Sequence, residues 1–472
     1  MQFFKKENEC WELRKYMSDF AKRYRKLWED QADTQKSFGL ERMALFGPAA
    51  ASQESMNLSR MWRKWGNSWL PWQFGDWVEE ALAVHKTAFI GDWSALSKVV
   101  IKGKEAVEFL RHVGMAALDR FPVGRMRHFI CMNEQGKIAI EGILSKLDDE
   151  TYFYTGGGGE WLIYHAKQGQ WDIDVSLVTP DYFMFEIQGP KSGIIIEHAC
   201  EVSIKNLAFN HWMPNKIAGI EVRILRTGVS GELGYEIHGS VDHGAAIWTE
   251  VCQKGETYQL VPLGARAQVL AHVEAGIATV GFDYIPATLG SPVKSQTSVI
   301  GGGQKIIGTY EFADPSALFR SPLELNWGSR KAIETLDFIG AEALREELKQ
   351  GGPQRKLYGL VWDSSDVVGV YKSLFDEDQA IALQMDLPRH YAAEYFAVVT
   401  QDGTCCGVAS SRVYSPQLRR MISLAVLDKN FVETQRQVIV LWGRTPKEFT
   451  EIKARIIDLP FKADRRREPA MI

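Results

Sequence analysis

The sequence predicts an α+β protein, and three observations carry that reading. From about residue 76, short strands and amphipathic helices alternate without the strand–helix–strand regularity of a doubly wound sheet. From about residue 356 the chain turns strand-rich, and "GVASSRVYSPQLRRMISLAVLD" fits a small β-barrel. A chain of 472 residues is also too long for one compact core. The expected organisation is a helical, Trp-rich extension over residues 1–75, a mixed region over 76–355 and a C-terminal barrel over 356–472.

The elements follow in order. Trp62, Trp65, Trp69 and Trp72 recur at spacings of three and four, which places them on one face if the segment is helical. "VVIKGKEAVEFLRHVG" reads as strand, glycine turn and amphipathic helix. "RHFICMNEQGKIAIEGILSKL" reads as a hairpin around Glu134-Gln135-Gly136. "YFMFEIQGPKSGIIIEHA" is a strand ending at Gly189-Pro190, then a helix. In "GIEVRILRTG", Ile220, Val222 and Ile224 alternate with Glu221, Arg223 and Leu225, as in a half-buried strand. Gly264 to Gly276 reads as a helix, and residues 286–322 as a loop. "DFIGAEALREELKQGGPQRK" is a helix stopped at Gly351-Gly352-Pro353. The glycine runs "VIGGGQK" and "TGGGGEW" lack the GK[ST] and GxGxxG contexts of phosphate loops, and the second reads as close backbone approach.

Composition narrows the function. Apolar content of 45% and charged content of 24% fit a globular chain, and a net charge of −4 gives no pull toward nucleic acid. The six cysteines (Cys10, Cys131, Cys200, Cys252, Cys405 and Cys406) form no CxxC pair, so neither a disulfide framework nor a cysteine metal site is expected. "MQFFKKENEC" turns polar too early for a secretory signal, and no run reaches about 18 apolar residues. The expectation is a cytoplasmic protein with no membrane partner.

"RTGVSGELGYEI" (226–237) resembles the pterin-binding hairpin of the aminomethyltransferase family, the T-protein of glycine cleavage. "IQGPK", "PLGARAQVLAHVEAG", "LDFIGAEAL" and "SPQLRRMISLA" follow in the family's order, so the resemblance covers roughly residues 76–472. "GEWLIYHAKQGQWDIDV", "FEIQGPK", "LYGLVWD" and "VYKSLFD" are similar to the branch of tetrahydrofolate-dependent O-demethylases that act on vanillate-type methoxyaromatics.

The resemblance implies tetrahydrofolate as cofactor and no metal. Glu236 stands at the family's pterin carboxylate, where it would accept the ring NH and the exocyclic amine in parallel. Glycines at 228, 231 and 234 would let the turn pass close to the ring. Tyr235, Arg226, Val229 and Gln188 belong to the same motifs and are further cofactor candidates, as is Arg127 in "GRMRHF". Arg419, beside Arg420, is a candidate for the folate's anionic tail.

At the reacting end the sequence departs from its relatives. The family's catalytic aspartate position in "GKIAIEG" is Ile140, which leaves Glu141 as the nearest acid. The tyrosine that follows "GSRA" in the vanillate-type enzymes is Gln268 here, four residues before His272 on one helix face. Tyr284 in "VGFDYIP" is the alternative hydroxyl donor, and Asp92 in "FIGDWSAL" stands near a polar site position. The arginine that holds a benzoate carboxylate in those relatives has no counterpart in "TGGGGEW". A buried carboxylate without a cation is costly, so the expected substrate is an uncharged aromatic ether.

Three functions follow. The first is O-demethylation of a neutral methoxyaromatic, giving a phenol and 5-methyltetrahydrofolate. The second is opening of a methylenedioxyphenyl ring to a catechol and 5,10-methylenetetrahydrofolate. The third is folate binding without catalysis. The Trp-rich extension adds the expectation of homo-oligomer assembly.

Overall fold

The computed structural model describes Lys26 and residues 45–470, apart from Asn67, Gly290, 294–305, Gln379 and 389–392. Most of the N-terminal extension and the "VIGGGQK" loop lie outside the described residues.

The extension's described part is not one helix. A short helix, Ala50–Met56, is followed by a three-stranded sheet of β1 (Leu45–Phe46), β2 (Trp62–Trp65) and β3 (Ser68–Pro71). Trp62 and Trp65 therefore lie on one strand and Trp69 on its antiparallel partner, with Trp65 opposite Ser68. Asp76 then caps the helix Trp77–Lys86 by accepting a hydrogen bond from Val78 N.

Two sheets carry the middle of the chain. The first has the order β11-β12-β13-β10-β4-β14, from β4 (Ala88–Asp92), β10 (Tyr182–Gln188), β11 (His211–Ile217), β12 (Ile220–Arg226), β13 (Gly234–Ser240) and β14 (Leu260–Leu263). The second has the order β6-β7-β8-β5-β9, from β5 (Ser97–Lys102), β6 (Met126–Met132), β7 (Ile138–Lys146), β8 (Thr151–Gly156) and β9 (Asp174–Leu177). Each sheet buries one apolar face under helices. In the first, Ile187, Ile224, Tyr235 and Ile237 pack with Ile195 and Ile196 of helix Ser192–Ala199 and Trp248 of helix Gly244–Gly255. In the second, Val99, Phe129, Leu144 and Tyr154 pack against Phe109, Leu110 and Val113 of helix Ala106–Val113. Each such side chain contributes about 1.5–3 kcal/mol when fully buried.

The last part is a closed barrel in the order β15-β18-β17-β16-β19-β20. Its strands are β15 (Arg355–Trp362), β16 (Phe396–Val399), β17 (Cys405–Ser415), β18 (Arg420–Asp428), β19 (Gln437–Thr445) and β20 (Glu448–Ile457). Irregular register between Ser410 and Val413 bends β17, and the Ser410 and Ser411 hydroxyls there both donate to Asp283 Oδ1. The α+β class and the C-terminal barrel match the sequence expectation. No helix among the described residues is long and apolar enough to cross a membrane.

Candidate functional site

With one face of each sheet committed to helices, the opposite faces meet, and their residues follow from register. Directly paired strand residues project to the same side. Glu236 is opposite Glu186, which is opposite Gly91; His238 is opposite both Met184 and Arg223; Gly234 is opposite Gln188. In the second sheet Lys98, Thr155, Ile143 and His128 form one cross-strand row, and Glu141 and Phe153 project to the same side. Phe153 bridges the two faces: its ring lies 6.1 Å from His238 and 5.3 Å from Tyr182, with the Arg223 guanidinium 4.2 Å from its centroid.

The centre of this cleft is a buried polar cluster. Glu186, Gln188, Glu236 and His238 are almost wholly inaccessible, as are Lys98 and Asp92. His238 Nε2 lies 2.8 Å from Glu236 Oε2, and the Gln188 amide donates to Glu186. Ser230 N donates to Gln188 Oε1 at 2.9 Å. Burial pushes the Glu186 carboxyl well above the usual range, and the neighbouring Glu236 adds to it. Burial likewise raises Asp92, which accepts from Ser94 N at 2.8 Å and Gln53 Nε2 at 3.2 Å. Burial lowers His238, which leaves it neutral at pH 7.

A second group lies along the same face. His128 Nε2 is 2.8 Å from Glu141 Oε2, and both side chains are partly exposed. The Trp327 ring stands edge-on to His128 at 5.3 Å and to Tyr284 at 6.0 Å. Tyr284 is fully buried, yet its hydroxyl has no hydrogen-bond partner among the described residues. Burial, then the charges of Glu141 and Asp283, push its phenol well above 10, so it remains a donor. Asp283 fixes the segment by binding Thr279 N at 2.7 Å and the two barrel serines. In the glycine loop between β8 and helix Glu160–Gln168, a Cβ on Gly156 would sit 2.4 Å from the Glu141 carbonyl oxygen. That is the close approach expected of "TGGGGEW".

The structure thus brings Glu236, Gln188, Glu141 and Tyr284 to one cleft and disperses the other candidates. Asp92 is the cross-strand partner of Phe185 and projects to the helix-covered side, where Gln53 binds it. Tyr235 projects to the opposite face of its strand, into the apolar core. Arg226 is on that face too, donating to the carbonyls of Leu207 and Glu468. Arg127 turns to the helix-covered side of β6, with its guanidinium 5.5 Å from the Phe121 ring centre. Gln268 and His272 lie on helix Ala265–Glu274, which packs against helix Trp77–Lys86 and barrel strands β17 and β18. Val229 packs into the central core. Arg419 is exposed in the turn between β17 and β18, with φ of 53°. Ile140 sits in apolar surroundings with Leu144, Tyr154 and Trp161.

The hairpin glycines are also corrected. A Cβ on Gly228 would lie 2.6 Å from Gln188 Oε1, and one on Gly234 would lie 2.6 Å from Gln188 Cγ. They make room for the protein's own glutamine. Sequence reasoning missed Lys98, Glu186, Arg223 and His238; the signal was a polar residue at the alternate positions of strands already assigned. Outward from His238 the face opens into a groove of about 1080 Å³ lined by Tyr182, Lys216, Arg223 and His243, which does not include Glu236.

Comparisons with known proteins agree with this architecture. The chain is 28% identical to a sesamin methylene transferase of Sinomonas sp. (strain No.22) over 411 residues, 83% of this chain and 90% of the relative. It is 26% identical to a syringate O-demethylase of Sphingobium sp. (strain SYK-6) over 420 residues, 84% of this chain and 90% of the relative. The crystal structure of glycine cleavage system aminomethyltransferase T from Bartonella henselae superposes with a TM-score of 0.66 at 18% identity, covering 89% of this chain and 99% of that one, which supports the fold. The model of the GCVT N-terminal domain matches residues 23–294, more than half of the chain, and the protein therefore belongs to the GCVT family of folate-dependent aminomethyltransferases.

Proposed function

We propose that the protein transfers a one-carbon unit from an uncharged aromatic ether to tetrahydrofolate, with O-demethylation of a neutral methoxyaromatic as the reaction. The family's cofactor is tetrahydrofolate, and the cleft fits it. A planar ring with an amidine-like edge needs a carboxylate that accepts two parallel hydrogens, and Glu236 stands buried on a face shared with Glu186, whose carboxyl burial raises well above the usual range. Gln188 supplies further polar contact at the same depth. Tetrahydrofolate supplies the amine that takes up the one-carbon unit.

The chain's own residues do the rest. His128 is three strand spacings from Lys98 across the sheet, about 14 Å, so the cleft is long enough for two rings in sequence. Tyr284 holds a proton that it can donate to an ether oxygen as the bond to carbon breaks, and its unpartnered hydroxyl is the observation that carries this assignment. Glu141, hydrogen-bonded to His128, is the acceptor for the proton released at the attacking amine. Trp327, edge-on to both His128 and Tyr284, confines the substrate, so alignment contributes much of the rate. No arginine lies in the loop Gly156–Gly159, which favours a ring without a carboxylate.

The similarity to a sesamin methylene transferase favours a second reading, the opening of a methylenedioxyphenyl ring. One experiment separates the readings: incubation with tetrahydrofolate and either a guaiacol-type or a methylenedioxyphenyl compound, followed by mass analysis of the folate. A methylated folate with a phenol supports the first; a methylene folate with a catechol supports the second. Folate binding without turnover of either compound would overturn both and leave a non-catalytic folate-binding protein.

A further inference from the structure

The groove that opens outward from His238 takes no part in the chemistry above. It encloses about 1080 Å³, ample for a small ligand, and its walls follow from register. Pro214 of β11, Arg223 of β12 and His238 of β13 are cross-strand neighbours on one face, and Lys216 stands opposite Glu221 two residues further along. The charges of the groove are unequally engaged. Glu201 accepts from Gly219 N at 2.9 Å, and Glu221 has Lys216 across the ladder. Arg223 makes no hydrogen bond and no ion pair among the described residues, and its Nη2 is buried without a partner. The Phe153 and Tyr182 rings hold its guanidinium in place, at 4.2 Å and 5.4 Å from their centroids. A guanidinium carries five N–H donors in a fixed fork, and a ring face satisfies none of them.

We propose that this groove binds a small aromatic acid, whose carboxylate pairs with the open fork of Arg223. The planar fork suits a carboxylate or a phosphate. The apolar wall of Tyr182, Pro214 and Val202 selects an acid carried on a ring over an inorganic anion. The site is separate from the pterin site. Glu236 does not line the groove, and His238 is the residue common to both, with its Nε2 2.8 Å from Glu236 Oε2. In a pterin the amidine edge and the carbon that bears the tail lie at opposite ends of the fused rings, so a ring gripped by Glu236 sends its tail away from that acid. The separation rests on the tetrahydrofolate reading of the cleft; the acid site does not.

The test is a titration of the folate-free protein with benzoate, followed by ligand-observed NMR and calorimetry, with benzamide and inorganic phosphate as parallel probes. Benzoate is expected to bind, and the other two to bind at least about tenfold more weakly. Arg223→Met should weaken benzoate about 10- to 100-fold, and Arg223→Lys, a charge without the fork, by an intermediate factor. Unchanged benzoate affinity in Arg223→Met would overturn the proposal, as would no binding by the wild type. Phosphate binding as tightly as benzoate would overturn the choice of an aromatic acid. If Arg223→Met fails to fold, photolysis of the wild type with para-azidobenzoate decides: label on Tyr182, Pro214 or Val202 supports the groove, and label confined elsewhere overturns it. Repeating the benzoate titration at saturating tetrahydrofolate separates the two sites. Unaltered stoichiometry supports a separate ligand, whereas one-for-one displacement would put the folate's own acid at Arg223 and overturn it. A wild type that binds benzoate through Arg223 but no tetrahydrofolate would remove the folate reading and leave this site standing.

Discussion

Glu186 and Glu236 are direct cross-strand partners on the buried face of one sheet, yet they hold different partners: Glu186 takes the Gln188 amide and Glu236 the His238 ring. Two buried carboxyls this close do not both ionise. Burial, with the neighbouring Glu236, pushes the Glu186 carboxyl well above the usual carboxylate range.

This asymmetry predicts unequal effects of isosteric changes. Glu236→Gln replaces one acceptor oxygen with an amide that opposes the ligand's N–H, at a cost of about 2–3 kcal/mol, or roughly 30- to 150-fold in tetrahydrofolate affinity. Glu186→Gln exchanges a neutral acid for a neutral amide that still accepts from Gln188, and affinity should change less than about threefold. Calorimetric titration of both variants checks this; equal losses would sink the assignment.

Tyr284 predicts opposite signs for stability and rate. Its buried hydroxyl lacks a partner, and such a group costs about 1–3 kcal/mol in the folded state. Tyr284→Phe should therefore raise Tm, while turnover falls about 100-fold through loss of the proton donor. Thermal melts and single-turnover kinetics on the same preparation decide it. A stabilised variant with full activity would remove Tyr284 from the chemistry.

Glu141 and His128 are partly exposed, so their pair contributes little to folding, about 0–1 kcal/mol. Glu141→Gln should melt within a few degrees of wild type and bind tetrahydrofolate normally, yet lose about 100-fold or more in turnover. Ile140 cannot stand in for it, because that side chain belongs to the apolar cluster of the sheet's other face.

Much of this architecture was legible in the chain. Alternation in "GIEVRILRTG" and the turn around Gly136 place β12 and the β6–β7 hairpin, because period-two burial and a glycine with positive φ are local properties. The tryptophans misled because spacings of three and four also arise on a two-stranded hairpin. The Gly66-Asn67 step between Trp65 and Ser68 is itself a hairpin signature. Lys98, Arg223 and His238 were not legible for a different reason. Alternation shows that one face of a strand is polar, but not whether a second sheet covers it, and only that covering turns Lys98 from a surface lysine into a buried charge.

A separate network ties the barrel to the sheets and predicts a pH-dependent stability. His85 Nε2 lies 2.7 Å from Glu274 Oε2 and its Nδ1 3.6 Å from Glu232 Oε1. Lys462 also holds Glu232 at 2.8 Å, and the Ser415 hydroxyl donates to Glu274. Burial alone would lower the His85 imidazolium, but the hydrogen bonds to Glu232 and Glu274 outweigh it and leave the group raised above 6.5. A raised histidine contributes stability that is complete below its unfolded value and is lost as pH climbs through the folded one. Glu232 is lowered from 4.5, against the desolvation that would raise it, by His85 and Lys462, so its contribution holds above the ordinary carboxylate range and is lost toward acid pH. His85→Gln should accordingly cost about 1–3 kcal/mol at pH 6, and the gap to wild type should narrow between pH 7 and 9. Urea melts at pH 6, 7.5 and 9 measure it; a gap that widens with pH would mean that His85 is neutral in the fold.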